Sequence, residues 1–113
     1  MPASISTDER PGAWVLTARG ELDYADCANF RSHVDRVLRA MPAACIVDLS
    51  GIDYLDSSGL GLLLSLYREY GSAGGKLVLV ASETVDGILD ITRLDNLFDT
   101  ADDVESALAS VEG

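Results

Sequence analysis

Bases, histidine and cysteine are all scarce in this 113-residue chain, and each scarcity removes a class of function. Eight Lys and Arg stand against nineteen Asp and Glu, for a formal charge of −11. That sign repels nucleic-acid phosphates and anionic membrane surfaces, so neither is an expected partner. Cys27, Cys45 and the lone His33 are too few for a disulfide framework or a zinc site. Both cysteines are expected to be buried thiols. No basic stretch followed by a long apolar run opens the sequence, and no window approaches the ~18 apolar residues that a membrane span requires. A cytoplasmic protein without direct membrane insertion is the expectation.

What is present is apolar content, at 48% hydrophobic against 24% charged. A chain of this size removes roughly two-thirds of its unfolded surface from water, so one domain over residues 1–113 is expected. The acidity is uneven. Residues 83–113 hold nine acids and one Arg, which is −8 of the total −11.

Ile5 marks a short strand before the Pro11-Gly12 turn, and Trp14 to Arg19 alternate as a half-buried strand stopped by Gly20. Asp23 has the chemistry of a helix N-cap. Behind it Cys27, Phe30, Val34, Val37, Leu38 and Met41 form one apolar stripe that Pro42 terminates, with Arg31, Arg36 and Arg39 on the wet side. Cys45 to Leu49 and Lys76 to Val80 are short apolar runs suited to strands covered on both faces. Leu60 to Tyr70 reads as a buried helix with Gly71 as its C-cap. Val85, Ile88, Leu89 and Thr92 mark another helix, Leu97-Phe98 a last strand, and Val104, Leu108 and Val111 a terminal helix capped by Thr100. The order β-β-α-β-α-β-α-β-α predicts an α/β layer structure.

The chemistry concentrates in Asp53 to Gly61, which joins a central strand to the buried helix. In open α/β sheets that edge commonly receives ligands and partners. Either Ser57 or Ser58 could cap the helix by accepting a backbone N–H bond. Two serines exceed what capping needs. A close backbone approach at Gly59, an exposed hydroxyl at Ser58 and the flanking Asp56 suit a residue that another protein reaches and modifies; a plain capping turn accounts for the same spacing. Tyr54 and Leu55, just before the turn, are candidate interface residues. Trp14 is expected in the core or a half-exposed strand.

Val47-Asp48-Leu49-Ser50 followed by Leu55-Asp56-Ser57-Ser58-Gly59-Leu60-Gly61 resembles the signature of the STAS domain, in particular of bacterial anti-sigma factor antagonists. Gly20-Glu21-Leu22-Asp23, Gly74-Gly75-Lys76-Leu77 and Ile91 to Phe98 are similar to other family segments in the same order, although Arg93 stands where a glycine is frequent. The resemblance implies a mixed sheet of about five strands with about four helices. It also implies a phosphoacceptor at Ser58 and a partner surface formed by Asp23, Tyr54, Leu55, Asp56, Ser57, Ser58 and Gly59. The implied partners are an anti-sigma factor with serine kinase activity, bound by the unphosphorylated form and released by phosphorylation, and a metal-dependent serine phosphatase. No cofactor and no catalytic residue is implied for this chain. A STAS scaffold subunit of a stress-signalling or lipid-transport complex is the alternative.

Enzyme motifs fail residue by residue. Ser58 lacks the flanking glycines of a G-x-S-x-G elbow, with His33 its sole possible histidine base. Tyr70 stands where a P-loop would need its first glycine, and Leu77 replaces the Ser or Thr after Lys76.

Overall fold

A glycine-turned hairpin begins the sheet. In the computed structural model, which describes residues 3–112, β1 (Ser4–Arg10) and β2 (Ala13–Leu22) run antiparallel around Pro11 and Gly12, the latter at φ 79°. The strands β3 (Ala44–Leu55), β4 (Lys76–Ala81) and β5 (Asp99–Ala101) then add in parallel, giving the order β1-β2-β3-β4-β5. Their crossovers are α1 (Cys27–Ala40), entered through a 3-10 turn at Tyr24–Asp26, α2 (Ser57–Ala73) and α3 (Glu83–Ile91). The last helix is α4 (Val104–Val111). This mixed α/β sheet with four helices has the element order read from the sequence.

Successive strands are spatial neighbours, so crossovers of one hand bring α1, α2 and α3 to the same face. There Leu16, Val47 and Leu79 pack beneath Phe30, Leu63, Leu66 and Leu89. The alternate residues Val15, Ile46, Val78 and Val80 face α4 and its buried Ala107. Period-two alternation therefore supplies two cores from one sheet, and the mostly apolar runs of β3 and β4 are covered on both sides.

Several boundaries differ from the sequence expectation, each for a nonlocal reason. Gly20 does not stop β2; it takes φ 92° inside the strand, which continues to Leu22. Likewise β3 runs past Leu49 to Leu55, its register against β2 slipping twice, between Thr17 and Arg19 and between Gly20 and Glu21. Each slip is a bulge that adds a residue to β3 and increases its twist. Asp48 Oδ1 secures the first by accepting from the Ser50 N–H at 3.0 Å and the Ser50 hydroxyl at 2.6 Å. Helix α2 passes Gly71 and ends at Gly74, whose φ of 75° suits a glycine cap. Its last turn is held from a distance, because the buried Tyr70 donates its hydroxyl to the Pro42 carbonyl at 3.1 Å. The final strand begins after Leu97-Phe98, with Phe98 buried in the core. Thr100 lies in that strand, and Asp103 caps α4 by accepting from Ser106 N at 2.7 Å.

Edge strand β1 is clamped to α1 by polar side chains. Thr7 Oγ1 and His33 Nδ1 share a 2.7 Å hydrogen bond, and Arg36 pairs with Glu9 while its guanidinium lies 5.8 Å from the Trp14 ring centroid. Arg36 thus stays on the exposed helix face, as its position suggests, and reaches across to β1 from there. Burial, followed by the nearby Arg36 charge, lowers the His33 pKa from its ordinary 6.5. The neutral imidazole is then the form the fold prefers, so its contribution is complete above about 6.5 and lost as pH falls through the lower folded value. Urea unfolding across this range is expected to show wild type losing stability on acidification relative to His33→Gln. Parallel stability curves for the two proteins would refute the assignment.

Candidate functional site

The two bulges deliver the end of β3 to the point where α2 starts. Leu22 and Leu55, the last residues of β2 and β3, are register partners, and the Asp56 N–H donates to the Leu22 carbonyl at 3.3 Å. Asp56 then leaves the strand with φ −99° and ψ −177°, and its Oδ1 accepts from Ser58 N at 3.0 Å and Gly59 N at 3.2 Å. The carboxylate is therefore the N-cap, and neither serine performs that role. Ser57 and Ser58 are the first two helical residues, and among the described residues neither hydroxyl is held by another group. Ser57 is exposed and Ser58 partly so.

Gly59 is the reason that the helix can begin so close to the sheet. A Cβ at this position would meet Leu55 Cδ1 at 2.6 Å and Leu22 Cδ2 at 3.3 Å. The buried backbone of Gly59 seats the first turn on two leucines and turns the preceding serines outward. Leu55 is itself buried, at 6% exposure, and supports the first turn from below, and Gly59 is buried with it. Tyr54, just before the turn, is 48% exposed.

Asp23 comes to the same region from the other side. It caps the 3-10 turn by accepting from Asp26 N at 3.2 Å. The Cys27 thiol is pushed above its ordinary pKa by burial, then by the charges of Asp56 and Asp23, and Arg31 opposes them. Both carboxylates thus act on one thiol at the start of α1. Beside it a groove of about 350 Å³ is lined by Tyr24, Ala25, Cys27, Ala28 and Arg31. Tyr24, 80% exposed, was not singled out by sequence reasoning, although its position directly after Asp23 at a helix entry offered a signal. The assembled surface has an accessible serine pair, exposed tyrosines and several carboxylates around one arginine. It can present a hydroxyl and receive a partner side chain.

The family model of the STAS domain matches residues 4–107, and the chain belongs to that family. It is 26% identical to the anti-sigma F factor antagonist of Paenibacillus polymyxa, over 99% of this chain and 97% of that protein. Among solved structures it is similar to an anti-sigma factor antagonist from Mycobacterium paratuberculosis, with a TM-score of 0.86 at 24% identity, covering 98% of this chain and 95% of that one. Similar too is the anti-sigma factor antagonist SpoIIAA in its unphosphorylated form, with a TM-score of 0.82 at 23% identity and 97% of both chains covered. The Bacillus cell fate determinant SpoIIAA in its phosphorylated form gives 0.76 at 22% identity, over 96% of this chain and all of that one.

The seat of α2 predicts opposite signs for two glycines only two positions apart. A Cβ on Gly61 would meet nothing within 4 Å, so Gly61→Ala gains helix propensity and should stabilise by roughly 0.5–1 kcal/mol. Gly59→Ala gains the same propensity but must displace Leu55 against Leu22, an overpacking cost of roughly 1–3 kcal/mol. Denaturant melts should place Gly61→Ala above wild type and Gly59→Ala below it. The reverse order would show that the Leu22–Leu55 seat yields freely.

Proposed function

We propose that this chain, as a single STAS domain over residues 1–113, is a cytoplasmic anti-sigma factor antagonist switched by phosphorylation of Ser58. Its unphosphorylated form binds an anti-sigma factor with serine kinase activity and so frees a sigma factor. Phosphorylation releases the antagonist, and a metal-dependent serine phosphatase restores it. The chain contributes no catalysis and contacts no nucleic acid. The observation that carries this reading is the unheld Ser58 hydroxyl on a helix already capped by Asp56.

Because Asp56 satisfies the Ser58 and Gly59 N–H groups, modifying the serine removes no cap. In the transfer step the Ser58 oxygen attacks the γ-phosphorus of ATP bound to the kinase. The bond to the β-bridging oxygen breaks, ADP leaves, and the hydroxyl proton passes to the kinase's base. The product brings a charge of about −1.5 to −2 and three acceptor oxygens to a helix N-terminus. There the interaction with the macrodipole is favourable by ~0.3–1 kcal/mol, so the fold tolerates it. Within a protein interface the same dianion, without a partner cation, costs several kcal/mol, and each ~1.4 kcal/mol is tenfold in affinity. These magnitudes favour loss of the partner over loss of structure.

Ser58→Asp is accordingly expected to melt within a few degrees of wild type yet bind the anti-sigma factor at least about tenfold more weakly, as measured by calorimetry. Ser58→Ala should bind persistently in the presence of kinase and ATP. Intact-mass analysis should find one addition of about 80 Da in wild type, mapping to Ser58 and not Ser57. Equal binding by Ser58→Asp and wild type, or no addition, would defeat the switch and favour a scaffold role.

A further inference from the structure

The opposite end of α2 carries a second surface that the switch does not use. Tyr67, Tyr70, Leu77, Leu97, Phe98 and Asp99 line a cleft of about 110 Å³, room for one aliphatic side chain. Its floor is fixed: Tyr70 and Phe98 are buried, and the Phe98 ring meets Tyr67 edge-on with centroids 5.4 Å apart. Its rim is open, with Leu97 at 40% and Tyr67 at 37% exposure. The cleft sits where the chain enters β5, the last strand of the sheet, which is paired with β4 alone and has Asp99 and Thr100 exposed. The cleft mixes apolar and polar lining and opens at the start of an edge strand, an arrangement that strand addition can use: backbone bonds supply affinity and a side-chain pocket supplies specificity.

Charge identifies the occupant. From Leu94 to Gly113 the sequence has six acids, Asp95, Asp99, Asp102, Asp103, Glu105 and Glu112, and no Lys or Arg. Lys76 shares a groove with Asp99 on the α4 side and Arg93 stands just before the stretch, so the sequence on either side of β5 remains acidic on balance. Two such edges repel each other, which disfavours a second copy of this chain. We propose that the β5 edge and its cleft dock an extended segment of a partner protein in which an aliphatic residue is flanked by Lys or Arg. The surface is distinct from the Ser58 site. Tyr67 lies nine residues further along α2 than Ser58, about 14 Å down the helix axis, so the two surfaces can be engaged together.

The probe is the peptide Lys-Val-Lys-Leu-Lys-Val-Arg, titrated into ¹⁵N-labelled full-length protein. Amide shifts are expected to be confined to residues 97–103, Tyr67 and Leu77. They should vanish when the apolar residues of the probe are replaced by Ser. Leu97→Asp, a change at a half-exposed side chain, and Asp99→Lys should each weaken binding at least about tenfold while Ser58→Asp leaves it unchanged. An absence of shifts, or shifts spread over the acidic surface and retained by the Ser-substituted probe, would overturn the proposal. So would a dimer in sedimentation velocity that Leu97→Asp dissociates, since the occupant would then be a second copy.

Discussion

The contact of Gly59 with the paired Leu22 and Leu55 side chains fixes everything built where β3 meets α2. It requires β2 and β3 to end together, because a helix start resting on only one leucine would lack half its seat. It requires glycine, because a Cβ would occupy space that Leu55 already fills. And it determines what faces outward. With the third helical residue pressed on the core, the two residues before it lie at the open edge, where their hydroxyls need no partner. Asp56 completes the arrangement by taking two backbone N–H groups that would otherwise compete for a serine oxygen.

Bringing the two strands to a common end depends on the bulges in β3. Beyond Leu49 the buried residues are Ile52 and Leu55, spaced by three where regular strand would space them by two. Each added residue restores an apolar side chain to the helical face after the twist has turned the strand. Gly51 belongs to the same device, for its missing side chain leaves room for the Arg19 stem, whose Cγ would lie 2.9 Å from a Cβ. Asp48 secures the distortion with bonds to Ser50, as a buried carboxylate must be satisfied.

The same features explain what was legible beforehand. The runs Cys45 to Leu49 and Lys76 to Val80, and the stripe from Cys27 to Val37, obey local periodicities and fold as those periodicities require. The extension to Leu55 obeys none, because its spacing exists only relative to β2. Gly71 and Gly74 are equally plausible helix stops by composition, and the choice falls to Tyr70 reaching Pro42, a contact between residues distant in sequence. Asp56, Ser57 and Ser58 are all good caps by type. Which one caps is set by where the strand ends, not by the tripeptide. The position of the candidate site, at the strand-to-helix junction, was therefore readable, while the capping role of Asp56 and the exposure of Tyr24 were not.

The charge pattern acquires a different meaning once folded. Most of the acidity lies in residues 83–113, yet the junction has carboxylates of its own, since both Asp23 and Asp56 act on the Cys27 thiol with only Arg31 opposing them. On the proposed reading a phosphate on Ser58 enters a locally acidic surface. The helix N-terminus offsets that repulsion within the isolated protein, because its N–H dipoles are always present. No such compensation exists for an approaching partner unless it brings its own cation. A partner matched to the unmodified carboxylates has its basic groups already committed to them, so the added dianion exceeds what the interface can neutralise. An acidic setting thus sharpens the contrast between the two states, where a basic one would have welcomed the phosphate and blunted it.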